Sequence, residues 1–167
     1  MKLNLGGRDK PIQGFKTVDR YDGADINCDI SKLDCVESGS VEELYASHCL
    51  EHFSHTKTIE VLKEWRRVLR PNAKAYIAVP DFDAVVSLYQ KFGMNAFLRN
   101  FLFGDQGYDL AYHYTAFTFP TLAAALVESG FSDVKRISKM PYGLRDCSTL
   151  VDTFTQQPMS LNVEAIA

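Results

Sequence analysis

With 167 residues, 46% of them hydrophobic and 12% aromatic, the chain is the size of one domain and has enough apolar material to pack a core without staples. A formal net charge of -3 leaves no broad basic field of the kind that neutralises a phosphate backbone, which argues against nucleic acid as a partner. No run approaches the roughly 18 apolar residues that span a bilayer, and the amino terminus enters strand pattern without a signal-peptide hydrophobic region, so a cytoplasmic protein with no membrane partner is expected.

In chain order, Lys2–Leu5 reads as a buried strand running into Gly6 and Gly7. Glycines at the carboxyl end of a strand permit a tight turn and the close approach of a ligand to the backbone. Residues 15–18 form a second short strand closed by Asp19, and an acid in that place accepts hydrogen bonds from the two hydroxyls of a ribose. The turn lacks the full G-x-G-x-x-G spacing, and a plain turn between two core strands has the same appearance. Residues 24–34 (ADINCDISKLD) form a weak strand or loop. Asp29 lies where a third strand would end, placed to accept from an adenine amino group or simply solvated as a loop acid.

Val41–Ser47 (VEELYAS) has the character of a strand and delivers His48 to the same sheet edge. The following HCLEH matches H-x-x-E-H, which on a helix is an inverted zinc-protease pattern. Here it follows a strand and no distant third ligand is evident, so no metal is expected, and His48 and His52 are assigned to a strand-to-helix turn. Cys28, Cys35, Cys49 and Cys147 share no C-x-x-C spacing, so free thiols are expected rather than a metal knuckle or a disulfide framework.

Across residues 56–69, Ile59, Val61, Leu62, Trp65, Val68 and Leu69 recur at three- and four-residue steps, which predicts an amphipathic helix ended by Pro71-Asn72. Residues 73–82 (AKAYIAVPDF) then read as a central strand with Pro80 and Asp81 at its carboxyl end. A helix is predicted over 84–92. Residues 94–119, aromatic and broken by glycines, carry Asp105, Gln106, Tyr112, His113 and Tyr114 and form a candidate lid. Residues 120–129 predict a helix with Pro120 in its first turn and Gly130 as its stop. Strands over 133–138 and 160–167, joined by a long connection, complete an open α/β sheet with a paired ending.

Several stretches together resemble the class I S-adenosylmethionine-dependent methyltransferases, in particular the small type 11-like proteins with an LNLGCG-type opening and an SHxLEHF segment. The landmarks are LNLGG at 3–7, GFKTVD at 14–19, ADINCDISKL at 24–33, SHCLEHF at 47–53, EWRRVLRPNAKAYIAVPDF at 64–82 and LVESGF at 126–131. The resemblance implies a single-domain, Rossmann-like, doubly wound seven-stranded sheet whose last strand, 160–167, inserts antiparallel, with S-adenosylmethionine as cofactor. By the same resemblance Leu5, Gly6 and Gly7 lie against the methionine part of the cofactor and Asp19, with Arg20 beside it, holds the ribose. Asp29 and Ile30 flank the adenine, and Ser47 and His48 line the sulfonium side. Arg8 stands where such openings carry another glycine, and a side chain there crowds the cofactor or strains the backbone.

His113 and His48 are the candidate catalytic residues, His113 because it lies in the segment expected to cover the acceptor. His52, Asp81, Asp105, Gln106 and Tyr114 are the candidate acceptor-binding residues. The resemblance points to a small hydroxylated acceptor, in sugar or cell-envelope polysaccharide metabolism, and a homodimer partner is expected to cover a site that no leading helix closes. Two alternatives stand beside this reading. One is a catalytically silent cofactor-binding subunit, favoured by Arg8; the other is a nicotinamide-dependent oxidoreductase, weakened by the incomplete glycine fingerprint and the lack of a Tyr-x-x-x-Lys pair.

Overall fold

The computed structural model describes residues 1–7 and 10–167, so the expectation at Arg8 lies outside the described residues. The strands are β1 (Lys2–Leu5), β2 (Phe15–Asp19), β3 (Ile26–Asn27), β4 (Val41–Ser47), β5 (Leu69–Pro80), β6 (Ser132–Arg136) and β7 (Ser160–Ile166). They form one seven-stranded sheet in the order β3-β2-β1-β4-β5-β7-β6. The first five positions pair in parallel, while β7 runs antiparallel to both β5 and β6. The doubly wound sheet with its last strand inserted antiparallel is the architecture expected.

Alternation along the inner strands sends side chains to two cores, as a sheet covered on both faces requires. Leu44, Ala46, Ile77, Val79, Leu161 and Val163 join the main core, whereas Tyr45 and Ala78 meet Ile12 and Met140 on the other face. The main core is sealed by α1 (Thr58–Val68), which buries Val61, Leu62, Trp65 and Val68. Trp65 also donates its indole N–H to the Ile30 carbonyl at 2.8 Å, tying the helix to the loop after β3.

The helix ends at Val68, earlier than Pro71-Asn72 predict, because the chain turns straight into β5. Pro71 and Asn72 lie within that strand, Asn72 at φ 64°, and the pairing with β4 shifts register there from Val41↔Leu69 to Glu43↔Lys74. This irregularity accommodates a proline where a regular ladder would not.

The segment 94–119 is not a uniform lid. Asn95 caps α3 (Ala96–Phe103) by accepting from the Leu98 amide, and α3 packs Leu98 and Phe101 against Ala84, Val85 and Leu88 of α2 (Phe82–Phe92) in a second, smaller core. Residues 104–118 follow as an irregular connection. Gly104 sits at φ 79° with no room for a Cβ against the Ala111 carbonyl, so a glycine is required at that bend. Thr118 then caps α4 (Phe119–Glu128) in a reciprocal arrangement with Thr121.

Two expectations need correction here. Cys28 and Cys35 are joined by a disulfide, with their Cα atoms 6.4 Å apart, while Cys49 and Cys147 are free. The turn in which the Lys32 and Leu33 amides both donate to the Asp29 carbonyl folds the chain back on itself and sets the two cysteines side by side, which no spacing motif announces. Asp81, expected to bind the acceptor, is buried beneath the end of β5. It caps α2 through the Asp83 amide and takes the Arg136 guanidinium at 2.6 Å, so both carboxylate oxygens serve the fold. Among the described residues, no helix is long and apolar enough to cross a membrane.

Candidate functional site

The carboxyl ends of β1, β2, β3 and β4 surround a cavity of about 360 Å³, within the range of small-molecule sites. It opens beside β1, the strand from which the sheet order runs to β2 on one side and β4 on the other; such a switch point is where open α/β sheets bind ligands. Gly6 forms its floor at φ 62°, and a Cβ there would stand 3.0 Å from the Cys49 Cβ. The next residue, Gly7, has no space for a Cβ against the Asn4 side chain, whose amide donates to the Lys10 carbonyl at 2.8 Å. The glycine turn thus brings bare backbone to the cavity.

Asp19, at the end of β2, lines the cavity and accepts the Arg20 amide on Oδ1 at 2.7 Å. Asp29 lines it as well but spends its carboxylate locally, accepting the Ser31 amide and hydroxyl on Oδ1 and the Arg20 guanidinium on Oδ2. Burial pushes the Asp29 carboxyl up, but the Ser31 hydrogen bonds and Arg20 outweigh it and hold the group below the usual range. Asp29 therefore shapes the rim, with Arg20 and Ile30 completing that wall.

Beyond β4 the chain makes a short 3-10 turn, Leu50–His52, that carries the site's histidines. His48, at φ 52°, sets Nε2 2.8 Å from Ser160 Oγ, and that hydroxyl already donates to the Cys147 carbonyl. The imidazole is accordingly the donor, and its Nδ1 lies 3.2 Å from Glu51 Oε1. In this arrangement His48 faces Ser160 with one nitrogen and Glu51 with the other, at the edge of the cavity it lines.

Glu51 is fully buried, and neither of its oxygens has an aligned hydrogen bond among the described residues. Burial pushes its carboxyl up, yet His48, with Nδ1 3.2 Å away, and His52 beside it prevail and hold it below its ordinary value. His113 donates Nδ1–H to the Phe101 carbonyl at 3.1 Å and sets Nε2 4.0 Å from Glu51 Oε1. His52 donates Nδ1–H to the Tyr112 carbonyl at 2.9 Å, and the two rings meet edge to face at 4.8 Å. The Tyr114 amide donates to the Glu51 carbonyl, and the Thr115 hydroxyl to the Phe53 carbonyl, which fastens residues 112–115 to the turn after β4.

This cluster gives stability a definite pH dependence. Burial lowers the His113 pKa, with Glu51 offsetting it only in part, so the unfolded chain binds more protons than the folded one as pH drops below the ordinary imidazole value of 6.5. Glu51 acts in the same direction below its ordinary 4.5. The stabilisation is present above pH 6.5 and is lost as pH falls through the folded-state values. Melting temperature is expected to drop between about pH 7 and pH 5, and His113→Gln should flatten that slope. A wild-type protein whose melting temperature is level across this range would contradict the arrangement.

Other sequence candidates fall elsewhere. Leu5 is buried beneath the turn, and Ser47 has a buried hydroxyl beside Tyr45 and does not line the cavity. Asp105 caps its own loop at the Gly107 amide, Gln106 donates to the Phe103 carbonyl, and Tyr114 is 56% exposed, stacked on Tyr112. From the lid segment it is Tyr108 and Leu110 that line the cavity, joined by Tyr21, Cys28, Cys49 and Phe53, none of which was singled out from sequence. Phe53, as the last residue of SHCLEHF, was the one carrying a signal.

No protein-family model and no curated protein sequence matches the chain. Solved structures do. A methyltransferase dependent on S-adenosylmethionine (SAM) from Archaeoglobus fulgidus superposes with a TM-score of 0.61 at 14% identity, over 99% of this chain and 85% of that one. Another from Methanosarcina mazei gives 0.61 at 17% identity, over 98% and 90%. The chain has the fold of the SAM-dependent methyltransferases. The 1,6-didemethyltoxoflavin-N1-methyltransferase of Burkholderia thailandensis, solved with its substrate and S-adenosylhomocysteine, shares this methyltransferase fold with a TM-score of 0.59 at 16% identity, over 98% of this chain and 69% of that one.

Proposed function

We propose that the protein transfers a methyl group from S-adenosylmethionine to a small hydroxylated acceptor. The observation that carries this reading is the cavity at the strand ends, where the glycine turn, Asp19 and the Asp29–Ile30 rim stand in the places a nucleoside with an amino-acid tail would use. Its volume suits a ligand of that size, and Asp19 offers a carboxylate to two ribose hydroxyls. Bare backbone at Gly6 leaves room for the tail, and Tyr21 with Ile30 offers apolar surface to a base.

When bound, the cofactor supplies an already activated sulfonium methyl donor. The chain's work is then to position the acceptor in line, exclude water and accept a proton. Tyr108, Leu110 and Phe53 close the cavity with apolar surface. His52 lines the acceptor side of the cavity, and His113 packs edge to face against it with Nε2 toward Glu51. The likeness to LNLGCG and SHxLEHF proteins supports an acceptor of sugar or cell-envelope polysaccharide type, a class rich in hydroxyls.

Calorimetric titration with S-adenosylmethionine, its demethylated product and NAD tests the reading. Binding of the first two and not of NAD is the expected result, and preference for NAD would overturn it. Asp19→Ala should weaken donor binding by about 2 kcal/mol, the worth of a charge-assisted hydrogen bond. Equal affinity in that variant would remove Asp19 from the site.

A further inference from the structure

We infer that Glu51, His52 and His113 form a binding site for a divalent transition-metal cation on the acceptor side of the cavity. One ligand atom from each of the three lies within 4.8 Å of the others. What matters is the kind of atom each presents. A carbonyl oxygen can only accept, so the contacts with Phe101 and Tyr112 fix the proton of both rings on Nδ1 and leave Nε2 as a lone pair. Glu51 adds a carboxylate that is fully buried, with both oxygens lacking a hydrogen-bond partner among the described residues. Three groups able to ligate a cation thus converge.

A buried carboxylate is costly unless cationic or donor groups meet both of its oxygens. His48 approaches Oε1 alone, which leaves Oε2 unmatched. Pinning of Nδ1 by a backbone carbonyl is also the outer-shell arrangement that orients metal-bound histidines and fixes their tautomer. Two imidazoles and one carboxylate suit Zn²⁺, and also Fe²⁺, Co²⁺ or Mn²⁺. In a tetrahedral zinc site, bonds of roughly 2.0–2.1 Å place ligand atoms about 3.3 Å apart, so the side chains need shifts on the order of 1 Å.

This site is not the one the H-x-x-E-H pattern suggests, because His48 is not among the three converging groups. The third ligand arrives instead from the connection 104–118, which the Tyr114 and Thr115 hydrogen bonds hold against the turn after β4. Three protein ligands leave a coordination position open, and His52 lines the cavity, so that position faces the acceptor. A cation there would favour the ionised form of an acceptor hydroxyl. The inference deepens the acceptor half of the proposed methyl transfer and, for that functional role, rests on it; cation binding itself is measured with no donor present.

The test begins with chelator-stripped, oxidised full-length protein titrated with Zn²⁺ and separately with Co²⁺. One equivalent should bind, Co²⁺ should show ligand-field bands without thiolate charge transfer, and Zn²⁺ should raise the melting temperature. His113→Ala and His52→Ala should each weaken Zn²⁺ binding by about 100-fold or more, since loss of a ligand exceeds loss of an outer-shell partner. His55→Ala, an exposed histidine outside the cluster, should change nothing. Glu51→Gln guards against misfolded variants: its metal-free melting temperature is read beside its Zn²⁺ affinity, which should fall even where the fold persists. No binding up to about 1 mM would overturn the inference, as would full affinity in His113→Ala or thiolate bands marking Cys28 and Cys35 as the ligands. Donor titration run in parallel separates the two ideas, because donor binding without a cation site defeats this inference alone.

Discussion

Trp65→Ala is expected to lower the unfolding free energy by about 4 kcal/mol, the usual cost of deleting a fully buried aromatic side chain. Trp65 has no exposed surface, and its ring fills the space between α1 and the main core. The substitution also strands the Ile30 carbonyl, whose partner is the indole N–H. Trp65→Phe separates the two contributions, since it keeps most of the volume and loses only the hydrogen bond, at a cost of about 1–2 kcal/mol. Urea unfolding of the three proteins measures both. Because Ile30 lines the cavity, Trp65→Ala should also weaken donor binding, and since Trp65 is the single tryptophan, its fluorescence in the wild type reports ligand arrival at that wall. A loss below about 1.5 kcal/mol for the alanine variant would mean that the core collapses around the gap and that Trp65 does not organise it.

His113→Asn is expected to reduce turnover roughly 100-fold while leaving donor affinity nearly unchanged, the scale of a lost acceptor-side catalytic group. His113 stands behind His52 against Glu51, away from the residues that form the nucleoside wall. The substitution therefore acts on the acceptor side alone. Both quantities are measured because they divide the possibilities. A fall in donor affinity together with a lower melting temperature would make His113 a packing residue, and unchanged turnover on the true acceptor would deny it any part in the chemistry.

The elements that could be read from sequence are those whose signal is local. Gly6 and Asp19 are marked by their place at strand ends, and the alternation and apolar runs of β4, β5 and β7 identify inner strands wherever they pair. What escaped depends on partners far along the chain. Asp81 looks like any acid at a strand end until Arg136, 55 residues on, claims it. Asp105 and Gln106 looked like directed polar groups but serve the bend around Gly104, while Tyr108 and Leu110 nearby, both largely exposed, line the cavity. The union of Cys28 with Cys35 follows from a turn built on the Asp29 carbonyl, and the complete burial of Glu51 follows from the return of residues 112–115 over it. Neither leaves a periodic trace.

The position of β7 has a consequence for how the molecule assembles. It lies between β5 and β6, pairing Lys74 with Ile166 and Pro80 with Ser160, and β6 has no other neighbour in the sheet among the described residues. Until β7 enters, β5 presents an apolar open edge and β6 has nothing to join, so this third of the sheet closes only through contacts between distant parts of the chain. Such closure is slow, and the waiting edge is a template for pairing with other molecules. Refolding yield should consequently fall as protein concentration rises, and the amides of β5, β6 and β7 should gain hydrogen-exchange protection together, after those of β1, β2 and β4.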